Sequence, residues 1–169
     1  GYREQFSHLA LDQRPDTLFV ACSDSRVVPN TFASTDPGDL FVVRNPGNII
    51  PPADASAVPA AGEEEGSGPL AAWVQAAGDS LRELERRPEL APERPFHDRL
   101  AQAHALVQLE HLKTHAPVRE ALAAGRLRLH AWWFDLAGAD VYAWEPGMGC
   151  FTLIDEAEAA RILSRLDAA

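Results

Sequence analysis

A thiol, a carboxylate and a guanidinium stand at alternate positions in Ala21-Cys22-Ser23-Asp24-Ser25-Arg26. A thiolate is a ligand for a borderline-soft metal such as zinc. A guanidinium fork beside a carboxylate holds it ionised through paired hydrogen bonds. On an extended backbone Cys22, Asp24 and Arg26 point the same way. A plainer reading uses the same residues: free cysteine is among the most buried residue types, and an aspartate after a strand caps a turn. A phosphate-cradling thiol loop fits poorly, because three residues separate Cys22 from Arg26 and none is glycine.

These side chains need a strand to place them. Thr17 to Cys22 is a short, continuous apolar run, the pattern of a strand buried on both faces in a parallel sheet. Asp39 to Arg44 reads the same way and ends at the turn cluster Asn45-Pro-Gly-Asn48. Ligands in open α/β sheets bind at the carboxyl ends of such strands. Residues 1–14 read as a helix tail with Tyr2, Phe6 and Leu9 near one face. Ala53 to Gly68, rich in Ala, Pro, Glu, Ser and Gly, reads as a flexible loop. Pro69 to Arg87 is a helix placing Leu70, Trp73, Val74 and Ala77 on one face, followed by Leu81 and Leu84. Leu100 to Leu112 is another, with Ala103, Leu106, Val107 and Leu109 apolar. A short helix, Val118 to Ala124, closes at Gly125. Leu127 to Phe134 is a strand, Leu136 to Asp140 a hairpin turn, and Val141 to Trp144 its partner. Cys150 to Ile154 follows as a strand. Asp155 to Leu166 is a final helix with Asp155 as its N-cap. The class expected is α/β: a mostly parallel central sheet flanked by helices, with an antiparallel C-terminal hairpin.

The chain has 169 residues and a net charge of −10, with a pI near 4.9. One domain over 1–169 suits this length. No basic footprint for nucleic acid is present, and no run is long and apolar enough to span a bilayer. The first residues lack a basic-then-apolar secretory layout. Two distant cysteines, Cys22 and Cys150, favour a reducing, cytoplasmic setting over a disulfide framework.

Ala21-Cys-Ser-Asp-Ser-Arg-Val27, followed by Asp36-Pro-Gly-Asp-Leu-Phe-Val-Val-Arg-Asn-Pro-Gly-Asn48, resembles the β-class carbonic anhydrases. Leu70-Ala-Ala-Trp73, Leu106 to His115, Val118 to Leu122 and Gly125 to Trp132 resemble later parts of that family, in the family's order. The resemblance implies a zinc enzyme that hydrates carbon dioxide reversibly to bicarbonate, the attack coming from zinc-bound hydroxide. It makes Cys22 a zinc ligand. Asp24 then either meets zinc-bound water or takes a metal position itself, and Arg26 decides between these states. It also implies a homodimer or tetramer.

One part of the family pattern is missing. A His and a Cys two residues apart, at the end of a third parallel strand, should lie between Pro52 and Pro69. The strand and its leading helix should accompany them, a unit of about 30 residues. Ala53 to Gly68 holds no His and no Cys. Three accounts stand: a segment encoded in the gene but lost from the 169 residues, an excision joined at Glu63 to Gly68, or a naturally metal-poor relative with a repacked sheet. The abrupt change at Gly66-Ser67-Gly68 favours the first, and an intact mass of 18.4 kDa would overturn it. Cys150, or His104, His111 and His115 at helical spacing, are the remaining donors by residue type. Histidines at a helix end also have a dipole reason to be there. His130 reads as structural, and His8 and His97 carry no signal. A second function stays open: a non-catalytic binding or assembly module, alone or fused to a bicarbonate transporter. For assembly, adjacent Trp132 and Trp133 point to opposite faces of a strand. Both faces therefore need cover, and Tyr142 and Trp144 extend the apolar surface.

Overall fold

A computed structural model describes Leu9, residues 14–54 and residues 69–167, with residues 69–77, 163 and 165–167 given by their backbone. The helix tail expected over 1–14 and most of the Ala53–Gly68 loop lie outside the described residues. The chain forms two compact units, Gly1–Ile49 and Ile50–Ala169.

In the first unit, β1 (Thr17–Cys22) and β2 (Leu40–Asn45) pair in parallel. The register runs from Thr17 opposite Leu40 to Cys22 opposite Asn45. The crossover holds a one-turn helix, α1 (Pro29–Phe32), which the sequence reading did not foresee. Pro29 starts it, since its fixed φ suits the first helical turn. Phe32 then packs on Phe19 of β1, ring centroids 5.8 Å apart.

The second unit contains α2 (Pro69–Arg86), α3 (Phe96–Thr114), α4 (Ala116–Ala123), β3 (Trp132–Asp135), β4 (Asp140–Glu145), β5 (Cys150–Leu153) and α5 (Glu156–Asp167). Leu84, Leu90, Ala103, Leu106 and Ala131 form its buried core, with Leu100, Leu109, Trp144 and Phe151 packed against it. α3 contributes Ala103, Leu106 and Val107 as expected, and it also buries Gln102 and Gln108. It starts four residues before Leu100, because the Pro95 carbonyl accepts the N–H groups of Asp98 and Arg99. Leu81 is a correction: on α2 the buried stripe runs through Ser80 and Leu84, and Leu81 is turned outward. Asp155 caps α5 as expected, its Oδ1 accepting the Glu158 N–H at 2.8 Å.

The α/β class holds, but its proportions differ from expectation. Among the described residues the parallel part has two strands, and the antiparallel part has three in the order β3-β4-β5. The strand expected from Leu127 begins only at Trp132. Residues 126–131 have no ladder partner among the described residues, and one bond, Trp144 N–H to the Ala131 carbonyl at 2.9 Å, carries pairing back beyond β3. Trp133 is buried, while Trp132 keeps 39% exposure. Tyr142 and Trp144 pack inside their own unit, on Trp133 and on Phe151 respectively.

Candidate functional site

The ladder of the first unit gains one more bond past Cys22, from the Ser23 N–H to the Asn45 carbonyl at 3.0 Å. Then the chain turns, and the Val27 N–H reaches the Asp24 carbonyl at 3.0 Å. Asp24 itself shapes this turn: its Oδ1 accepts the Arg26 N–H at 2.9 Å, the local bonding that suits Asp to turns. The turn swings the Arg26 side chain back onto the same carboxylate. Nε meets Oδ1 at 3.0 Å and Nη2 meets Oδ2 at 2.6 Å. The expectation that an extended backbone aligns Cys22, Asp24 and Arg26 is thereby corrected. Extension stops at Cys22, and the turn makes the pair.

That fork is bidentate and charge-assisted. It holds the Asp24 carboxyl well below the usual carboxylate range, chiefly through the Arg26 side-chain hydrogen bonds and then through the Arg26 N–H. Asp24 in turn raises the Arg26 guanidinium.

Arg44, which the sequence reading gave no role, fixes the rest. Its Nε donates to the Cys22 carbonyl at 3.1 Å, and its Nη2 donates to the carbonyls of Asp24 at 2.6 Å and Val27 at 2.7 Å. The signal was its place at the end of an apolar strand, opposite Ala21 in register. The Cys22 Sγ accepts the N–H groups of Asp24 and Gly47, each at 3.4 Å. Gly47 lies at φ +74°, in the left-handed region that glycine enters without cost from a Cβ. Asn45 closes this second turn, bonding both the N–H and the carbonyl of Ile49.

Zinc needs four donors, or three plus a water in a catalytic site. Cys22 offers one, and the Asp24 carboxylate is engaged by Arg26. Among the described residues no group of three or more His, Cys, Asp or Glu is arranged to hold a metal. Residues 55–68 include no His or Cys. The other histidines have structural partners: His104 Nδ1 lies 2.8 Å from Ser80 Oγ, His111 Nδ1 lies 2.7 Å from the Ile50 carbonyl, and His115 Nε2 lies 3.0 Å from the Pro51 carbonyl. His130 precedes β3, and burial pushes its pKa down, helped by Arg128. His97 sits beside Asp98, His8 lies outside the described residues, and Cys150 is an exposed thiol on β5. The described residues do not make a complete zinc site.

The sequence model described as carbonic anhydrase matches residues 17–61 and 54–141. A carbonic anhydrase of Pseudomonas aeruginosa is 33% identical over 183 aligned positions, covering 89% of this chain and 83% of the relative. Since 89% of 169 residues is about 150, about 33 of those 183 positions have no counterpart here. The β-carbonic anhydrase CafA of Aspergillus fumigatus superposes with a TM-score of 0.65 at 25% identity, covering 96% of this chain and 88% of that one. Tetrameric β-carbonic anhydrases of Sordaria macrospora include a chain that superposes with a TM-score of 0.63 at 25% identity, covering 87% of each. A family match running through both units, together with a one-third-identical relative aligned over nearly the whole chain, puts this protein in the β-class carbonic anhydrase family.

Proposed function

We propose that the intact form of this protein catalyses the reversible hydration of carbon dioxide to bicarbonate, and that the Cys22–Asp24–Arg26 turn is the share of the site that these 169 residues supply. One observation carries the reading: a thiol and an arginine-held carboxylate at the carboxyl end of a parallel strand, in a chain of this family. In the reading, Cys22 and Asp24 are the metal-side groups, and Arg26 keeps Asp24 ionised and turned to itself. Arg44 keeps the turn in register with the strand end. Among the described residues the donors fall short of a zinc site. The missing donors would belong to the roughly 33 positions that the Pseudomonas relative has and this chain lacks.

The test is stopped-flow hydration with zinc supplied. The 169-residue chain is expected to match buffer. A variant carrying the corresponding Pseudomonas segment between Asp54 and Pro69 is expected to exceed it. A spliced variant that folds and takes up zinc, yet shows no rate above buffer, refutes the hydration reading. The second reading, a non-catalytic binding or assembly module, draws on the incomplete donor set and would then stand.

The wider setting belongs to the same proposal. Both units form one family domain, supported by a match that crosses the Ile49–Ile50 boundary. The assembly is a homodimer or tetramer, supported by the 39% exposure of Trp132 and by the tetrameric Sordaria relatives. The compartment is the cytoplasm, a reducing setting that suits two free cysteines.

A further inference from the structure

A metal at the end of β1 would do two things: supply chemistry and tie the strand ends together. In this chain protein groups also carry the second task. Arg44 bonds the carbonyls of Cys22, Asp24 and Val27, which are the start, middle and end of the loop. The Cys22 Sγ takes N–H donors from both sides, Asp24 in its own loop and Gly47 in the turn after β2. The Asp24 carboxylate already accepts three hydrogen bonds, all from Arg26, out of about four lone-pair positions. Among the described residues a metal arriving here would find the Cys22 sulfur as its one free-standing ligand, with Asp24 held by Arg26 and too few further donors to complete its shell.

We infer that this chain is a metal-independent member of its family: hydrogen bonds centred on Arg44 and Cys22 shape the strand ends, and the 169-residue chain neither holds zinc stoichiometrically at Cys22 nor needs it to fold. This goes beyond the hydration reading, which concerns the reaction once the missing donors are restored. Structural zinc sites contribute folding free energy, so chelators unfold the domains that depend on them. A strand end tied by guanidinium and N–H groups gives a chelator nothing to remove.

The experiment uses the chain itself, expressed in zinc-supplemented medium and purified without chelator. Zinc per chain is measured by mass spectrometry, and thermal melts are recorded in zinc chloride and in EDTA. The expected result is zinc well below one per chain and the same Tm in both. Arg44→Met should lower Tm equally in zinc and in EDTA. Should that variant fail to fold, Arg44→Lys, which keeps the charge and loses the fork, takes its place, and the parent's zinc content and paired melts still decide. One zinc per chain that disappears in Cys22→Ser, or a Tm that falls in EDTA, overturns the inference. Zinc that Cys22→Ser retains in full, with Tm unmoved by EDTA, lies elsewhere and supports it. Only the parent and point variants are used, so this test and the spliced-chain assay can fail independently.

Discussion

The Asp24 carboxylate is lowered chiefly by Arg26, with a smaller contribution from the Arg44 charge, which makes it a good place to check the electrostatics. Three of its hydrogen bonds come from Arg26, two from the side chain and one from the backbone N–H. Its folded pKa lies below the unfolded value. The pair's stabilising contribution is therefore present above the ordinary carboxylate range and is lost as pH falls through the lower folded value. The Asp24 side-chain carbon resonance should stay flat as acidification passes through the ordinary carboxylate range, whereas in Arg26→Ala its midpoint should move up toward the ordinary aspartate value of about 3.9. Identical curves for the two proteins would show that the fork does not hold the carboxylate in solution. The attraction between Asp24 and Arg26 was legible in the residue types. Arg44 was not, because its acceptors are the carbonyls of Cys22, Asp24 and Val27. Every residue has a carbonyl, so a sequence carries no mark of which ones a guanidinium will find.

Between elements of the second unit, Arg94 makes several contacts at once. It lies in the loop between α2 and α3 and reaches β3 and β4. It donates to Asp135 at 2.9 Å and to the Tyr142 hydroxyl at 2.8 Å. Its guanidinium carbon sits 4.6 Å from the Trp133 ring centroid and 4.9 Å from that of Tyr142. Arg94→Met should destabilise by about 1–3 kcal/mol, combining a charged hydrogen bond with a partly desolvated cation–π contact. Asp135 is lowered chiefly by the Arg94 side-chain hydrogen bond. The gap between wild type and variant should thus be full at neutral pH and shrink in acid. Urea unfolding at pH 7 and at about pH 3 reads both effects, and a gap that widens in acid would contradict the assignment. Element types were largely legible here. Ala103, Leu106 and Val107 fall on the buried stripe of α3, as a 3.6-residue period requires. Leu127 to Ala131 misled because alternation reports an extended chain that has two faces. Whether such a chain becomes a strand depends on a ladder partner, and its own residues do not specify one. α1 was missed because four residues are too few to show a period.

For the whole molecule the balance is between charge and apolar surface. A net charge of −10 disfavours association at long range and is screened by salt. An uncharged contact around Trp132 is left largely unaffected by that screening. Light scattering at low micromolar concentration should therefore return a dimer or tetramer whose population rises with added salt, and a single monomer mass at all salt levels would count against the proposed assembly. The class of the fold was legible at this scale, and its proportions were not. Composition and run length identify buried strands such as Thr17 to Cys22. They do not say how many strands share a sheet, and the Pseudomonas relative carries about 33 aligned positions that have no counterpart in this chain.

The Arg44 fork leaves one freedom open. All three of its acceptors are main-chain oxygens, so it enforces the path of the loop and is blind to the side chains along it. Ser23 and Ser25 are exposed on that path. They form a display position on a braced backbone: new recognition groups could be grafted there, and a saturation library at these two sites should tolerate most residues while Asp24, Arg26 and Arg44 tolerate few.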